Sequence, residues 1–248
     1  MQYFGEIQTK YDEVFLTSSY LYFNREDEVI TAKDIKQKIK TNKDRKKNIA
    51  GTIFLYSPVV TPVGFDSNKF LLDQEFNQFD ELIELKAETY ITIFKQAMRE
   101  QCEGKIVEIK NLFNLNEQNI DASQLLMKFN SDLEKYNSSQ NTEFDRDIMY
   151  LDAQNIIPNG KFIFFSWGEK INSKEFPYIQ EYAQALYDRC HSLGKKVAFV
   201  YKREKSKEGS ISLLQFSHPM QNIKYKNSIA NAIKKSFETT PPSIVPYE

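Results

Sequence analysis

The stretch GTIFLYS (51–57) decides the fold: it is a short apolar run stopped by Pro58, and it reads as a strand. Three later segments share its character, KIVEIKNLF (105–113), KFIFFSW (161–167) and KVAFVY (196–201). The third segment is introduced by the turn signal Pro158-Asn159-Gly160. Amphipathic stretches separate these strands. Residues 68–100 contain no Gly or Pro, and Phe76, Phe79, Leu82, Ile83, Tyr90, Ile93, Phe94 and Ala97 recur at helical spacing. DASQLLMKFNSDLEKY (121–136) reads as a helix with Asp121 as N-cap. The helix over 174–193 presents Ile179, Tyr182, Ala183, Leu186, Tyr187 and Cys190 on one face and ends at Gly194. A last helix is expected over 223–237, and the tail TTPPSIVPYE is too rich in proline to continue it.

Strands that alternate with helices require crossover connections, and such connections make parallel neighbours. The expected fold is α/β, a three-layer α/β/α arrangement around a central, mainly parallel four-stranded sheet. Residues 1–32 alternate apolar and polar positions and predict two or three short antiparallel strands at an edge. Residues 33–47 hold eight basic residues against Asp34 and Asp44, and read as an exposed helix or linker. The expected organisation is an N-terminal unit of strands and basic segment (1–49), an α/β domain (50–238) and a proline-rich tail (239–248).

Composition narrows the class. With 41% hydrophobic residues and only 8 Pro and 8 Gly among 248, the chain is neither disordered nor low in complexity. Its 33 basic and 34 acidic residues exclude a generally basic nucleic-acid coat and leave room for local basic patches. Cys102 and Cys190 are far apart and, with only His191 and His218 as histidines, supply no zinc pattern; no metal or cofactor is expected. No charged-then-apolar leader is present and no apolar run approaches the roughly 20 residues that span a bilayer, so a cytoplasmic, reducing location without membrane contact is predicted.

Ligands of open α/β sheets bind beyond the carboxyl ends of the strands. Four segments fall there: Tyr56-Ser57-Pro58 with the loop to Asp66, Asn111-Leu112-Phe113-Asn114, Ser166-Trp167-Gly168, and Ser217-His218-Pro219. A single cleft would collect all four. A nearby basic cluster, with Lys195, Lys202 and Arg203 as candidate phosphate ligands, precedes the His-Pro segment.

In this order the segments YSPVVTP (56–62), KNLFNLNEQNIDASQL (110–125), FFSWGEK (164–170) and FSHPMQN (216–222) resemble a bacterial and phage family known as domain of unknown function sixteen-forty-three. That family carries N-P-S-x-A, N-L-F, W-G and H-P-L motifs. Ser57 stands where the family has Asn. The layout is also remotely similar to the uracil-DNA glycosylase superfamily. That likeness implies a base-reading role for Asn111, a leaving-group role for His218 and a stacking face from Phe65 or Phe113, with Ser57 and Trp167 lining the pocket. The carboxylate of the superfamily's G-Q-D-P-Y loop has no counterpart in YSPVV, and Asp66 is the nearby acid.

Three readings follow. The first is a nucleobase-, nucleotide- or nucleic-acid-recognising protein with a glycosylase-like pocket, in which His218 and Asp66 would carry any catalysis. The second is a non-catalytic binding protein of phage or mobile-element type that captures a nucleotide or blocks a host enzyme through its basic surfaces. The third gives the 14% aromatic residues to oligomerisation.

Overall fold

A computed structural model describes residues 1–10, 13–56, 63, 82–87, 89–116, 122–138, 153, 156–168, 171, 174–202, 226–238 and 243–247. The strands are β1 (Gln2–Lys10), β2 (Glu13–Tyr22), β3 (Ile49–Leu55), β4 (Leu82–Leu85), β5 (Ile106–Asn111), β6 (Phe162–Phe165), β7 (Lys196–Lys202) and β8 (Ser243–Tyr247). The helices are α1 (Ala32–Lys38), α2 (Asn42–Asn48), α3 (Thr89–Cys102), α4 (Ala122–Ser138), α5 (Pro177–Ser192) and α6 (Lys226–Glu238).

The eight strands among the described residues join one sheet in the order β4-β1-β2-β5-β3-β6-β7-β8. The α/β class stands as expected, and the four-stranded sheet does not. β5, β3, β6, β7 and β8 are parallel, while β1 and β2 extend the same sheet by antiparallel pairing of β2 with β5. The N-terminal strands are long and are neighbours of a central strand, because β5 exposes a free edge that only antiparallel partners close on this side. The proline-rich tail adds β8 beside β7, where Pro246 is tolerated in an edge strand. The expected helix over 68–100 also gives way. Leu82–Leu85 forms β4, paired with β1, and α3 begins only at Thr89. Tyr3↔Leu85 pairing buries Leu82 and Leu85 on opposite faces, so tertiary partners override the helical spacing. Phe76, Phe79 and Asp121 lie outside the described residues.

Three apolar clusters hold the layers together. Under α3 and α6, Ile53, Leu55, Val107, Ile109 and Phe164 meet Phe94, Met98, Ile229 and Ile233. On the opposite face, Phe54, Ile163, Phe165 and Trp167 meet Phe129 of α4 and Ile179, Ala183 and Leu186 of α5. Further along that second face, Phe4, Tyr20, Tyr22 and Ile106 pack beneath Ile35 and Ile39 beside α1. The segment expected as an exposed helix or linker is thus two short helices. Both begin with a capping box: Thr31 with Asp34, and Thr41 with Asp44.

Two turns position the strands for the site. Gly160 has φ +78°, and a Cβ there would lie 2.4 Å from the backbone of Ala50 and Gly51, so the turn before β6 docks directly on β3. Gly168, with φ +94°, turns the chain away after Trp167.

Candidate functional site at the carboxyl edge

Within the parallel strands the chain starts at β3, crosses to β5 on one side and then to β6 on the other. That reversal is a topological switch point, and the crevice beyond its carboxyl ends is where such sheets bind ligands. Leu55 pairs with Asn111, and Phe54 with Phe165, so Tyr56, Asn111 and Ser166 all emerge at this edge. The pairing runs on past the strands: Leu112 N donates to Leu55 O at 2.9 Å, Phe113 N to Tyr56 O at 3.1 Å, and Ser166 N to Phe54 O at 2.8 Å.

Asn111 is only 3% exposed. Its side chain makes no hydrogen bond among the described residues, although an amide offers two donors and two acceptor positions. Tyr56, one residue past the Leu55 that pairs with Asn111, is a second polar group at this edge and lies on the opposite face of the sheet, with Phe54. Its ring packs edge-on against Phe113 and Phe129, at 5.6 and 6.2 Å between centroids, and its hydroxyl is buried without a partner among the described residues. Burial pushes the Tyr56 phenol far above its ordinary value, so it remains a neutral donor.

The other predicted residues fall differently. Phe113 is fully buried and stacks on Phe129 with centroids 3.7 Å apart, which places its ring in the core beneath α4. Trp167, 1% exposed, packs on Phe165 at 4.7 Å. The N-L-F and W-G segments thus have local structural reasons: Leu112 and Phe113 are core, Trp167 is core and Gly168 is a turn. Lys195 sits before β7 and Lys202 ends it, about 20 Å apart at the usual rise per residue, so the two serve opposite edges of the sheet. Lys195 is half-buried and donates from Nζ to Pro158 O; burial lowers its pKa, opposed by the neighbouring Cys190 and Glu108. Ser57, Phe65, Asp66, Arg203 and His218 lie outside the described residues.

The sequence reading missed the most elaborate polar cluster, which lies midway along the same strands. Glu108, on β5, is 1% exposed. Its Oε2 accepts from Thr52 Oγ1 at 3.2 Å and Asn159 Nδ2 at 3.0 Å. Its Oε1 is held by charge, with Lys110 Nζ at 3.3 Å and Arg45 Nη1 at 3.7 Å and neither in hydrogen-bond alignment. Burial is the largest single influence on Glu108 and acts upward. Lys110, Asn159 and Arg45 together outweigh it and hold the carboxyl below its usual range. Burial and then the Glu108 charge push the neighbouring Tyr20 phenol up. The signal was present as a single acid inside the apolar run KIVEIKN, with its partners 56 and 51 residues away at Thr52 and Asn159.

A concavity of about 510 Å³ lies elsewhere, between the turn after β2 and α3. Arg25, Lys95 and Arg99 line it opposite Glu26, Asp27 and Glu28, so its charges cancel and nothing ties it to the carboxyl edge. No group of metal-ligating residues is found among the described residues, and no described helix is long and apolar enough to cross a membrane. No family model, curated protein or solved structure matches the chain.

Proposed function

We propose that the carboxyl edge around β3, β5 and β6 is a recognition site for a nucleobase or nucleotide. The observation that carries this reading is Asn111: a neutral amide, almost wholly buried at a switch point, with no hydrogen-bond partner among the described residues. An amide pairs with the donor–acceptor edge of a base. Segments bearing Ser57, Phe65 and Asp66, and Arg203 and His218, leave the carboxyl ends of β3 and β7 in the chain order that the glycosylase-like resemblance requires. In the catalytic form of this reading, His218 stabilises the departing base and Asp66 supplies the acid.

The test is thermal shift and calorimetric titration with a panel of nucleosides, nucleotides and short oligonucleotides, some containing uracil. Asn111→Ala is expected to abolish the response of the best ligand while the apo melting temperature stays within about 1–2 °C. A panel without any response ends the proposal. Release of free base from an oligonucleotide would establish the catalytic form.

A further inference from the structure

The basic run 33–47 was legible as charge, and its arrangement in space separates its members by task. Arg45 turns inward to Glu108 and also donates from Nε to Ile39 O at 3.0 Å. At about 100° per residue, Lys43 and Lys47 project about 200° away from it, on the outer face of α2. On α1 the same geometry buries Ile35 and turns Lys33 and Lys36 outward. Lys38 lies over the Tyr22 ring. Lys33, Lys36, Lys40, Lys43, Lys46 and Lys47 are all exposed, and none makes an ion pair among the described residues.

The acids that would offset these charges are occupied. The Asp34 carboxylate accepts from Thr31 N and Oγ1 at 2.7 and 2.6 Å, and Asp44 does the same for Thr41 at 3.3 and 2.7 Å. Both are turned back to the helix caps. The two helices are tied to each other by Asn48 Nδ2 donating to Lys38 O at 2.9 Å, and α2 is tied to the sheet by Lys105 Nζ donating to Lys47 O at 2.9 Å. The lysines therefore stand on a fixed platform.

We propose that the outer faces of α1 and α2 bind the phosphodiester backbone of a nucleic acid. No exposed residue over 32–48 is apolar. A protein interface has an apolar or aromatic core, and a membrane-bound helix has an apolar face; this surface offers only charge and amide groups. Contact by charge alone suits a uniformly charged polyanion. Because α2 feeds the amino end of β3, this surface is separate from the carboxyl edge, and its binding is independent of base recognition there.

The experiment is fluorescence anisotropy with a 16-base-pair DNA duplex and the matching RNA duplex, from 50 to 300 mM salt. Expected is binding whose logarithm falls with the logarithm of salt at a slope of about −4, for about four phosphates neutralised. The variant Lys36→Gln/Lys40→Gln/Lys43→Gln/Lys47→Gln should bind at least about 30-fold more weakly at 100 mM salt and flatten the slope by about 3. Circular dichroism and melting should match the parent, since all four side chains are exposed. The quadruple lysine variant should keep the parent's thermal shift with mononucleotides, so failure of the nucleotide reading and failure of this one are distinguishable. Absence of duplex binding at 50 mM salt, undiminished binding by the quadruple variant, or equal affinity for polyglutamate or anionic vesicles overturns the proposal.

Discussion

At the carboxyl ends of β3 and β5 the buried polar groups are neutral, and neither the Asn111 amide nor the Tyr56 hydroxyl has a partner among the described residues. Halfway down the same two strands, Thr52 and Glu108 are tied to each other, to Asn159, and to Lys110 and Arg45. The strands are adjacent and the burial is alike. A buried group satisfied inside the chain fastens the fold, whereas one left over is stabilised only when something outside supplies its hydrogen bond. The Glu108 cluster also sits at the seam on one face of the sheet where the apolar cluster beside α1 gives way to the one beneath α4 and α5. It joins α2, through Arg45, to the central strands.

The largest expected effect breaks the comparison on its aromatic side. Phe113→Ala should cost about 3–5 kcal/mol in urea unfolding, because the ring is fully buried against Phe129. A loss well under 1 kcal/mol would return Phe113 to the role of an available stacking face. Next, Glu108→Ala should cost about 3 kcal/mol, since it strands the Asn159 amide and leaves Lys110 beside an empty site, while Thr52 keeps its bond to Asn159 O at 3.0 Å. Arg45→Ala should cost less than about 1 kcal/mol, because that side chain is one-third exposed and its charge is screened.

The same cluster predicts an acid limb. The Glu108 carboxyl is held below its ordinary value of 4.5, so its stabilising contribution is complete above that pH and is lost as pH falls through the lowered value. Glu108→Gln should flatten stability against pH below about 4.5 relative to the parent. An unchanged acid limb would mean that the carboxylate is not held by its partners.

The smaller effects sharpen the edge. Tyr56→Phe removes a buried hydroxyl that lacks a partner among the described residues and should raise stability by up to about 1 kcal/mol. Asn111→Ala should change stability least of all. If either substitution destabilises by more than about 2 kcal/mol, the polar group is already satisfied and the edge is structural, like the cluster below it.

Much of the α/β plan was legible because it is written in local periodicity. The runs 51–57, 105–113, 161–167 and 196–201 coincide with β3, β5, β6 and β7, and Gly194, with φ +64°, follows the end of α5 as read. Asn111 was found for the same reason, by its place at the end of a recognisable strand. The segment 33–47 was read as an exposed helix or linker, and its division into two short capped helices was not foreseen. Misreadings share a cause in long-range pairing. The segment 82–85 has helical spacing and becomes a strand beside β1, and residues 243–247 read as a tail and become a strand beside β7.

By itself the sequence determined the alternation of strands and helices, the location of the positive charge, and which residues follow strand ends, since each depends on neighbours within a turn or two of chain. Only the tertiary structure decided that the N-terminal strands complete the central sheet, that Arg45 faces inward while its neighbouring lysines face out, and that Phe113 and Trp167 belong to the core. It also brought Thr52, Glu108 and Asn159 together. These outcomes depend on pairing across 50 residues and more, where burial and hydrogen-bond satisfaction are settled by the whole sheet and local pattern carries no record of the partner.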